Sequence, residues 1–161
     1  MAIVIGTDGN DRYNDPSYPG NVELKGTNGA DQIYGLAGAD ELVGFDGDDL
    51  LEGGPGADVL WGGSGLDLAS YQGSDQGVAV DLRDGYARGG HAEGDILHEI
   101  EGVVGSAYDD NLMGTDGDNN VLRGGGCLAA GRCWDQARWA VEAYAWRFDG
   151  LGRAPWARGA A

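Results

Sequence analysis

Residues 26–70 read GTNGADQIY GLAGADELV GFDGDDLLE GGPGADVLW GGSGLDLAS, which is five consecutive units of nine residues. Every unit has glycine at positions 1 and 4, aspartate at position 6 and an apolar residue at position 8. A single unit is too short to bury its own apolar side chain, so stability requires several units stacked on one another. The fixed period therefore predicts a repeat architecture.

Each unit is predicted to form a six-residue loop followed by a three-residue strand. The glycines at positions 1 and 4 are expected to allow positive φ values and close backbone approach in the loop. In the strand, the residue at position 8 points inward while its neighbours point outward. The expected fold is all-β: a parallel β-roll, or right-handed β-solenoid, in which two units complete one coil.

The position 6 aspartates carry the predicted chemistry. Units 18 residues apart stack at the strand spacing of about 4.8 Å. The neighbouring carboxylates are then Asp31 with Asp49, Asp49 with Asp67, and Asp40 with Asp58. Stacked carboxylates repel each other unless a cation lies between them. Calcium suits such a site because it takes several oxygen ligands and accepts backbone carbonyls, whereas magnesium demands near-ideal octahedral geometry.

Three further units lie outside the uninterrupted block. GTDGNDRYN begins at Gly6, and two looser units begin at Gly105 and Gly114. The Gly105 unit has Tyr108 in place of glycine, while the Gly114 unit has Asn119 in the aspartate place and Arg123 as one extra residue. The predicted ligands of several calcium ions are the position 6 carboxylates and the position 1 carbonyls: Asp31, Asp40, Asp49, Asp58, Asp67, Gly26, Gly35, Gly44, Gly53, Gly62, Asp11 and Asp110.

The chain is expected to have five segments. They are an N-terminal segment with one isolated unit (1–25), the β-roll (26–70), a bridge (71–104), a second short repeat block (105–126) and a tail (127–161). In the bridge, the alternation over 78–82 and the Asp84-Gly85 turn signal predict a hairpin, and a strand-like stretch follows through Val103-Val104. We interpret the bridge as a structural link between two parts of the roll; the alternative is a face that contacts polysaccharide.

The net charge limits the classes of binding partner. The chain of 161 residues has 27 acidic and 10 basic side chains, for a net charge of −17. Such a charge excludes nucleic acid and anionic membrane as partners, since both need clustered positive charge. No stretch approaches the about 20 apolar residues of a membrane span. Residues 1–126 alone carry −19, so self-repulsion should prevent folding until a cation binds, and metal-binding free energy becomes folding free energy.

The last 35 residues differ in character. They carry a net charge of +2, both cysteines and four of the five tryptophans. Residues 134–148 are good helix formers, so one interpretation is a docking helix. We favour the other, a frameshifted or truncated repeat protein, because the unit that starts at Gly124 breaks at Cys127. Cys127 and Cys133 are either free thiols or, in an oxidising compartment, a disulfide.

The nonapeptides resemble the GGxGxDxUx repeat of RTX (hemolysin-type) calcium-binding proteins. Residues 70–110 look like the piece between repeat blocks in secreted RTX enzymes such as serralysin-type proteases and mannuronan C5-epimerases. The resemblance covers residues 1–126. It implies export by type I secretion machinery, which reads an uncleaved C-terminal signal, and calcium-dependent folding outside the cell. The tail does not resemble such a signal.

Catalytic motifs are missing from the sequence. There is no HExxH or GxSxG, and His91 and His98 lack the companions of a zinc site. We therefore expect no enzyme activity, but a calcium-binding module that folds at about 0.1–1 mM calcium, the range of extracellular modules. The alternatives are the repeat module of a secreted epimerase or protease, and a carbohydrate-binding module that uses exposed Tyr34, Trp61 and Tyr71 as stacking platforms.

Overall fold

The computed structural model describes residues 1–11, 23–115 and 120–124, and the backbone of residues 134–136. This part of the chain contains β-strands, a short 3₁₀ helix at Gly90–Ala92 and no α-helix. The strands are β1 Ile3–Ile5, β2 Leu24–Lys25, β3 Gln32–Tyr34, β4 Glu41–Asp46, β5 Leu50–Glu52, β6 Val59–Ser64, β7 Leu68–Ser70, β8 Ala79–Asp81, β9 Tyr86–Arg88, β10 Ile96–His98, β11 Gly102–Val104, β12 Asn111–Met113, β13 Val121–Arg123 and β14 Trp134–Gln136.

Successive strands from β2 to β7 alternate between two sheets. One sheet has the order β1-β3-β5-β7-β11-β13 and is parallel throughout, and the other has the order β14-β12-β8-β9-β10-β6-β4-β2. Ile33 lies opposite Leu51 in the first sheet, and Leu42 lies opposite Leu60 in the second, in both cases 18 residues along. Two units therefore complete one coil, and the predicted all-β parallel β-roll is confirmed.

The core is a double row of position 8 side chains between the two sheets. All of these side chains are fully buried in the stacked units and in the strand before them: Leu24, Ile33, Leu42, Leu51, Leu60 and Ala69. Burying one large aliphatic side chain stabilises a fold by about 1.5–3 kcal/mol. Because each unit contributes only one such side chain, the stability of the roll also depends strongly on the loops at its two edges.

The bridge rejoins both sheets. Strands β8 and β9 pair antiparallel across a turn in which the Gly85 N–H donates to the Asp81 carbonyl at 3.0 Å. Strand β10 then pairs with β6, with Leu97 opposite Leu60, and β11 pairs with β7. The bridge thereby continues both sheets toward β12 and β13. The boundaries of the five predicted segments stay predictions.

The N-terminal unit is stacked on the roll rather than separate from it. Strand β1 pairs with β3, and the Gly6 N–H donates to the Tyr34 carbonyl at 2.8 Å. The Gly6 loop consequently lies directly against the Gly35 loop, although 29 residues separate them in sequence.

The tail contains a strand where a helix was predicted. Residues 134–136 form β14, which pairs parallel with β12. The helix prediction for 134–148 is therefore wrong at its start, because the open edge of β12 offers hydrogen bonds that override local propensity. The rest of that prediction, and the alternatives for Cys127 and Cys133, lie outside the described residues. Within the described part, no helix is long and apolar enough to cross a membrane.

Candidate metal centre

The position 6 aspartates lie inside the loops that line the two edges of the roll. Each is the last residue before a strand, and none is more than 2% exposed: Asp31, Asp40, Asp49, Asp58 and Asp67. An ionised carboxylate that is buried to this extent must be paired with donors or with a cation. The partners of each oxygen atom therefore decide what these loops can bind.

One oxygen of each carboxylate accepts a backbone N–H from the preceding coil. The Asp31 N–H donates to Asp49 Oδ1, and the Asp49 N–H to Asp67 Oδ1, both at 2.8 Å. On the other edge, the Asp40 N–H donates to Asp58 Oδ1 at 2.9 Å. The structure thus brings together all three carboxylate pairs expected from the 18-residue spacing, in two rows that we call the aspartate ladders.

Asp11 extends one ladder. Its N–H donates to Asp40 Oδ1 at 2.7 Å, and its side chain is 1% exposed. The unit that is isolated in sequence therefore places its aspartate in register with those of the continuous block.

The second carboxylate oxygen has no hydrogen-bond partner in most units. The Oδ2 atoms of five aspartates are buried and accept no hydrogen bond from the described part of the chain: Asp40, Asp49, Asp58, Asp67 and Asp110. A buried acceptor left without a partner costs about 1–3 kcal/mol, and more when it is charged. Repeated along both edges, this cost indicates that a cation belongs beside these atoms.

The position 1 glycines line the same space. A Cβ added to Gly35 would lie 2.6 Å from the Gly53 carbonyl oxygen and 2.7 Å from Asp40 Oδ2. Equivalent pairs of oxygens face Gly26 and Gly44. A carboxylate and a carbonyl from the next coil thus converge where a side chain would be. This is the oxygen-rich donor set that calcium prefers.

In the four units that begin at Gly35, Gly44, Gly53 and Gly62, positive φ occurs at positions 2 and 4 and not at position 1. In the Gly53 unit, Gly54 has φ 101° and Gly56 has φ 157°. The expectation of positive φ at position 4 holds there, but at position 1 it is wrong. Glycine is required at position 1 because oxygen atoms occupy the place of its side chain. Position 2 also holds two residues that rarely adopt such angles, Leu36 (φ 79°) and Phe45 (φ 78°).

The Gly6 and Gly26 units, which have threonine at position 2, satisfy their aspartate differently. The Thr27 N–H donates to Asp31 Oδ2 at 2.5 Å, and the Thr27 hydroxyl to the same oxygen at 2.8 Å. In the first unit, the Thr7 N–H donates to Asp11 Oδ2 at 2.7 Å. Neither threonine has a positive φ. In these loops local donors occupy the oxygen that is left without a partner in the other units.

Burial makes the carboxylates whose Oδ2 lacks a donor resist ionisation. It raises the pKa of Asp58 to about 7 and the pKa values of Asp40 and Asp67 to about 6. Burial also raises the pKa of Asp49. A bound cation would favour the charged forms and so reverse this effect.

The pKa of Asp31 is shifted in the opposite direction. Burial acts to raise its pKa, but hydrogen bonds from the Ala2 N–H and from Thr27 outweigh burial and hold the pKa below its usual value. Donors from Ala2 and Thr27 together therefore stabilise the Asp31 carboxylate as an anion without a metal ion.

Two acidic residues of the bridge join the ladders, although the nonapeptide pattern does not include them. The Asp58 N–H donates to Asp95 Oδ1 at 2.8 Å, and the Asp67 N–H to Glu101 Oε2 at 2.9 Å. Each of these acids directly precedes a three-residue strand with an apolar centre, β10 and β11 respectively. That local signal, an acid before an alternating triplet, was available in the sequence.

Tyr71 closes one end of a ladder. Its hydroxyl donates to Asp95 Oδ2 at 2.9 Å, and the side chain is 1% exposed. The expectation of an exposed Tyr71 is therefore wrong, because its hydroxyl finds a buried acceptor. Trp61 is 36% exposed and its ring stacks on His98 with centroids 3.9 Å apart, while Tyr34 is half-buried.

The two units of the second repeat block have different residues directly before the strand, an aspartate in one and an asparagine in the other. Asp110 Oδ1 accepts the Val78 N–H at 3.0 Å and the Ser106 hydroxyl at 2.7 Å. Val78 stands where the adjoining coil would have an aspartate. In the Gly114 unit the residue in the aspartate place is Asn120, whose Oδ1 accepts the Thr115 N–H at 2.7 Å.

The assignment of Asn119 to the aspartate place is therefore wrong. Because β13 begins at Val121 and pairs with β11, the pairing places Asn120 directly before the strand. The extra residue of this unit consequently lies in its loop and not at Arg123.

Side chains alone do not make a metal cage here. The described residues contain no group of three or more His, Cys, Asp or Glu side chains arranged to hold an ion. A cation in these loops must therefore draw most of its ligands from backbone carbonyls. Calcium accepts this kind of ligand set readily.

The geometry defines a class of protein, a parallel β-roll whose loops stack buried carboxylates and carbonyls. Residues 20–44, 43–68 and 103–126 match the family of the RTX calcium-binding nonapeptide repeat (4 copies). Over these residues the chain thus carries RTX calcium-binding nonapeptide repeats. A comparison with curated proteins gave no match. The narrower resemblance to modules of serralysin-type proteases and mannuronan C5-epimerases stays a prediction.

Proposed function

We propose that this chain is a non-catalytic module that folds when it binds extracellular calcium and thereby supports the secretion and stability of a larger protein. The observation that carries the proposal is the set of buried Oδ2 atoms without partners, repeated along both edges of the roll. A fold that leaves so many charged acceptors unsatisfied is incomplete without a cation.

The residues present fit calcium. In each loop the position 6 carboxylate and the glycine carbonyl of the next coil would hold the ion, as Asp40 and Gly53 do around the space beside Gly35. The ion would supply the positive charge that the stacked carboxylates lack. It would also link successive coils, so its binding free energy adds to a core of single side chains.

The charge of the chain supports a role outside the cell. Residues 1–126 carry a net charge of −19. At the low calcium concentration of the cytosol, self-repulsion keeps the chain unfolded, which suits passage through type I secretion machinery. At about 0.1–1 mM calcium, the range of extracellular modules, the loops fill and the roll forms.

Circular dichroism of the full chain during a calcium titration tests this function. A β-sheet signal should appear near the stated calcium concentration, disappear on chelation and not appear with magnesium alone. Calorimetry on the same samples should show uptake of several ions. A β-sheet signal that is unchanged by chelation contradicts calcium-coupled folding.

The structure supports the carbohydrate-binding alternative less well than the sequence did. It used three aromatic residues, of which Tyr71 is buried and Trp61 has its ring stacked on His98. An attached enzyme domain is compatible with the proposed role, since the module would serve such a domain without chemistry of its own.

A further inference from the structure

We propose that Glu99 and Glu101 of the bridge complete an additional calcium site with the Gly62 loop, at the point where the nonapeptide pattern stops. This inference rests on the proposed function, because it assumes that the regular loops take calcium. It assigns to the bridge a ligand role in place of a purely structural one.

Glu101 stands in the ladder as an aspartate would. The Asp67 N–H donates to Glu101 Oε2 at 2.9 Å, which repeats the 2.8 Å bond from the Asp49 N–H to Asp67 Oδ1 one coil earlier. The N–H groups of Glu101 and Gly102 both donate to the Asp67 carbonyl at 3.0 Å, so the backbone on either side of the carboxylate is fixed.

Glu99 supplies the carbonyl that a position 1 glycine supplies elsewhere. A Cβ added to Gly62 would meet the Glu99 carbonyl oxygen, just as a Cβ added to Gly44 would meet that of Gly62. Glu99 has φ 54°, a left-handed conformation that residues other than glycine rarely adopt. This strained backbone aims the carbonyl at the Gly62 loop.

Asp67 provides an independent sign of a missing ligand. The residue is fully buried, and its Oδ2 accepts no hydrogen bond from the described residues. That oxygen would lie 2.7 Å from the Cβ added to Gly62, so it faces the same space as the Glu99 carbonyl. Asp67 and the neighbouring Glu101 are both acidic, and a cation between them would remove their repulsion.

The change from aspartate to glutamate fits the shorter loop. A regular unit has six residues from its position 1 glycine to its aspartate, whereas Glu99 to Glu101 is only three. The extra methylene of glutamate lets a carboxylate reach the ladder from this abbreviated turn. With oxygen atoms as the only candidate ligands, the site favours a hard cation of the calcium class over zinc.

The test compares Glu101→Gln with Asp75→Asn in the full chain, by calcium calorimetry and circular dichroism. Glu101→Gln keeps an acceptor for the Asp67 N–H but removes the charge, and should bind one calcium ion fewer than the wild type. Asp75→Asn is the matched control: it removes an equal charge from an exposed side chain of the bridge outside both ladders, and should match the wild type.

The outcomes separate the two proposals. A wild type that takes up no calcium overturns the proposed function. Wild type and Glu101→Gln with equal calcium stoichiometry overturn only the additional site.

If Glu101→Gln does not reach the wild-type β-sheet signal at saturating calcium, Glu101→Asp is used instead. This variant keeps the charge on a shorter side chain, so one site should bind calcium about tenfold more weakly, a change of about 1.4 kcal/mol. Calcium titration curves that coincide for Glu101→Asp and wild type contradict the proposal.

Discussion

The loops of the Gly6 and Gly26 units differ from those of the four units that follow, although all share the same glycine and aspartate positions. In the first two, threonine at position 2 donates its N–H to the aspartate of its own loop. In the next four, position 2 has a positive φ and the aspartate Oδ2 has no hydrogen-bond partner in the described chain. We call the two kinds threonine loops and left-handed loops.

The comparison shows that the residue at position 2 decides how a buried aspartate is stabilised. A threonine loop supplies donors to Oδ2 of its own aspartate, and in the Gly26 unit these donors, together with the Ala2 N–H, lower the pKa of Asp31. A left-handed loop has no donor for the Oδ2 of its aspartate and needs a cation to stabilise it, and burial raises the pKa of the carboxylate. The left-handed loops should therefore depend on calcium more strongly than the threonine loops.

The largest expected effect comes from removing one carboxylate charge in each kind of loop. Asp49→Asn should raise the calcium midpoint of folding by about tenfold or more, equivalent to at least 1.4 kcal/mol, because Asp49 Oδ2 has no other partner. Asp31→Asn, the threonine-loop counterpart, should shift the midpoint much less. Calcium titrations followed by circular dichroism measure both, and equal shifts contradict the comparison.

The second effect is on pH dependence without calcium. Asp58 has a pKa of about 7 in the fold, above the value of about 3.9 for an unfolded chain. Between these values the folded state binds more protons, so the stability of the calcium-free fold falls as pH rises from about 4 to 7. In the presence of a chelator, β-sheet signal should therefore increase on acidification toward pH 5.

Asp31 contributes in the opposite direction, because its pKa is lowered. Its stabilisation is present above the unfolded pKa and is lost as pH falls below that value. Asp58→Asn should make the profile between pH 4 and 7 less steep without abolishing it, because Asp40 and Asp67 also have raised pKa values, whereas Asp31→Asn should leave that range unchanged. A wild-type profile that is flat from pH 4 to 7 in chelator contradicts the assignment to the left-handed loops.

A third, smaller effect concerns the threonine hydroxyl. Thr27→Val removes the 2.8 Å hydrogen bond to Asp31 Oδ2 and should destabilise the fold by about 0.5–1.5 kcal/mol. Thr27→Ser restores the hydroxyl and should recover most of that stability. Urea unfolding at fixed calcium measures the difference, and equal stability of the valine and serine variants argues against a role for the hydroxyl.

The smallest effect is a gain in stability. Phe45 has φ 78° and is 39% exposed, so its side chain contributes little burial while its backbone is strained. Phe45→Gly should stabilise the fold by up to about 1 kcal/mol, since glycine adopts this conformation without the strain. Phe45→Ala keeps a Cβ and should bring no such gain; an alanine variant as stable as the glycine variant contradicts the explanation.

The sequence period predicted much of this structure. A nine-residue repeat with one inward side chain leads directly to the pairing of Ile33 with Leu51 and to the stacking of Asp31 on Asp49. These features depend only on a local pattern and on strand spacing. Calcium binding as the role of the repeats followed from the same carboxylates.

Other features were missed because they depend on contacts between distant parts of the chain, which a local signal such as the acid before β10 or β11 does not specify. Asp95 and Glu101 enter the ladders only after the bridge has returned to β6 and β7. Tyr71 is buried because Asp95, 24 residues away, accepts its hydroxyl. The importance of Thr27 was missed because position 2 varies among the five consecutive units and was not used in the prediction.

Because successive strands alternate between two sheets, whether the number of nine-residue units is odd or even decides which sheet each later strand joins. Removing one nine-residue unit from the roll would move every later strand to the opposite sheet, so that Asp95 would face the ladder of Asp67 and Glu101 that of Asp58. Removing two units would leave each later residue on its own edge. Variation in the length of this domain should therefore be tolerated in steps of 18 residues and not of nine.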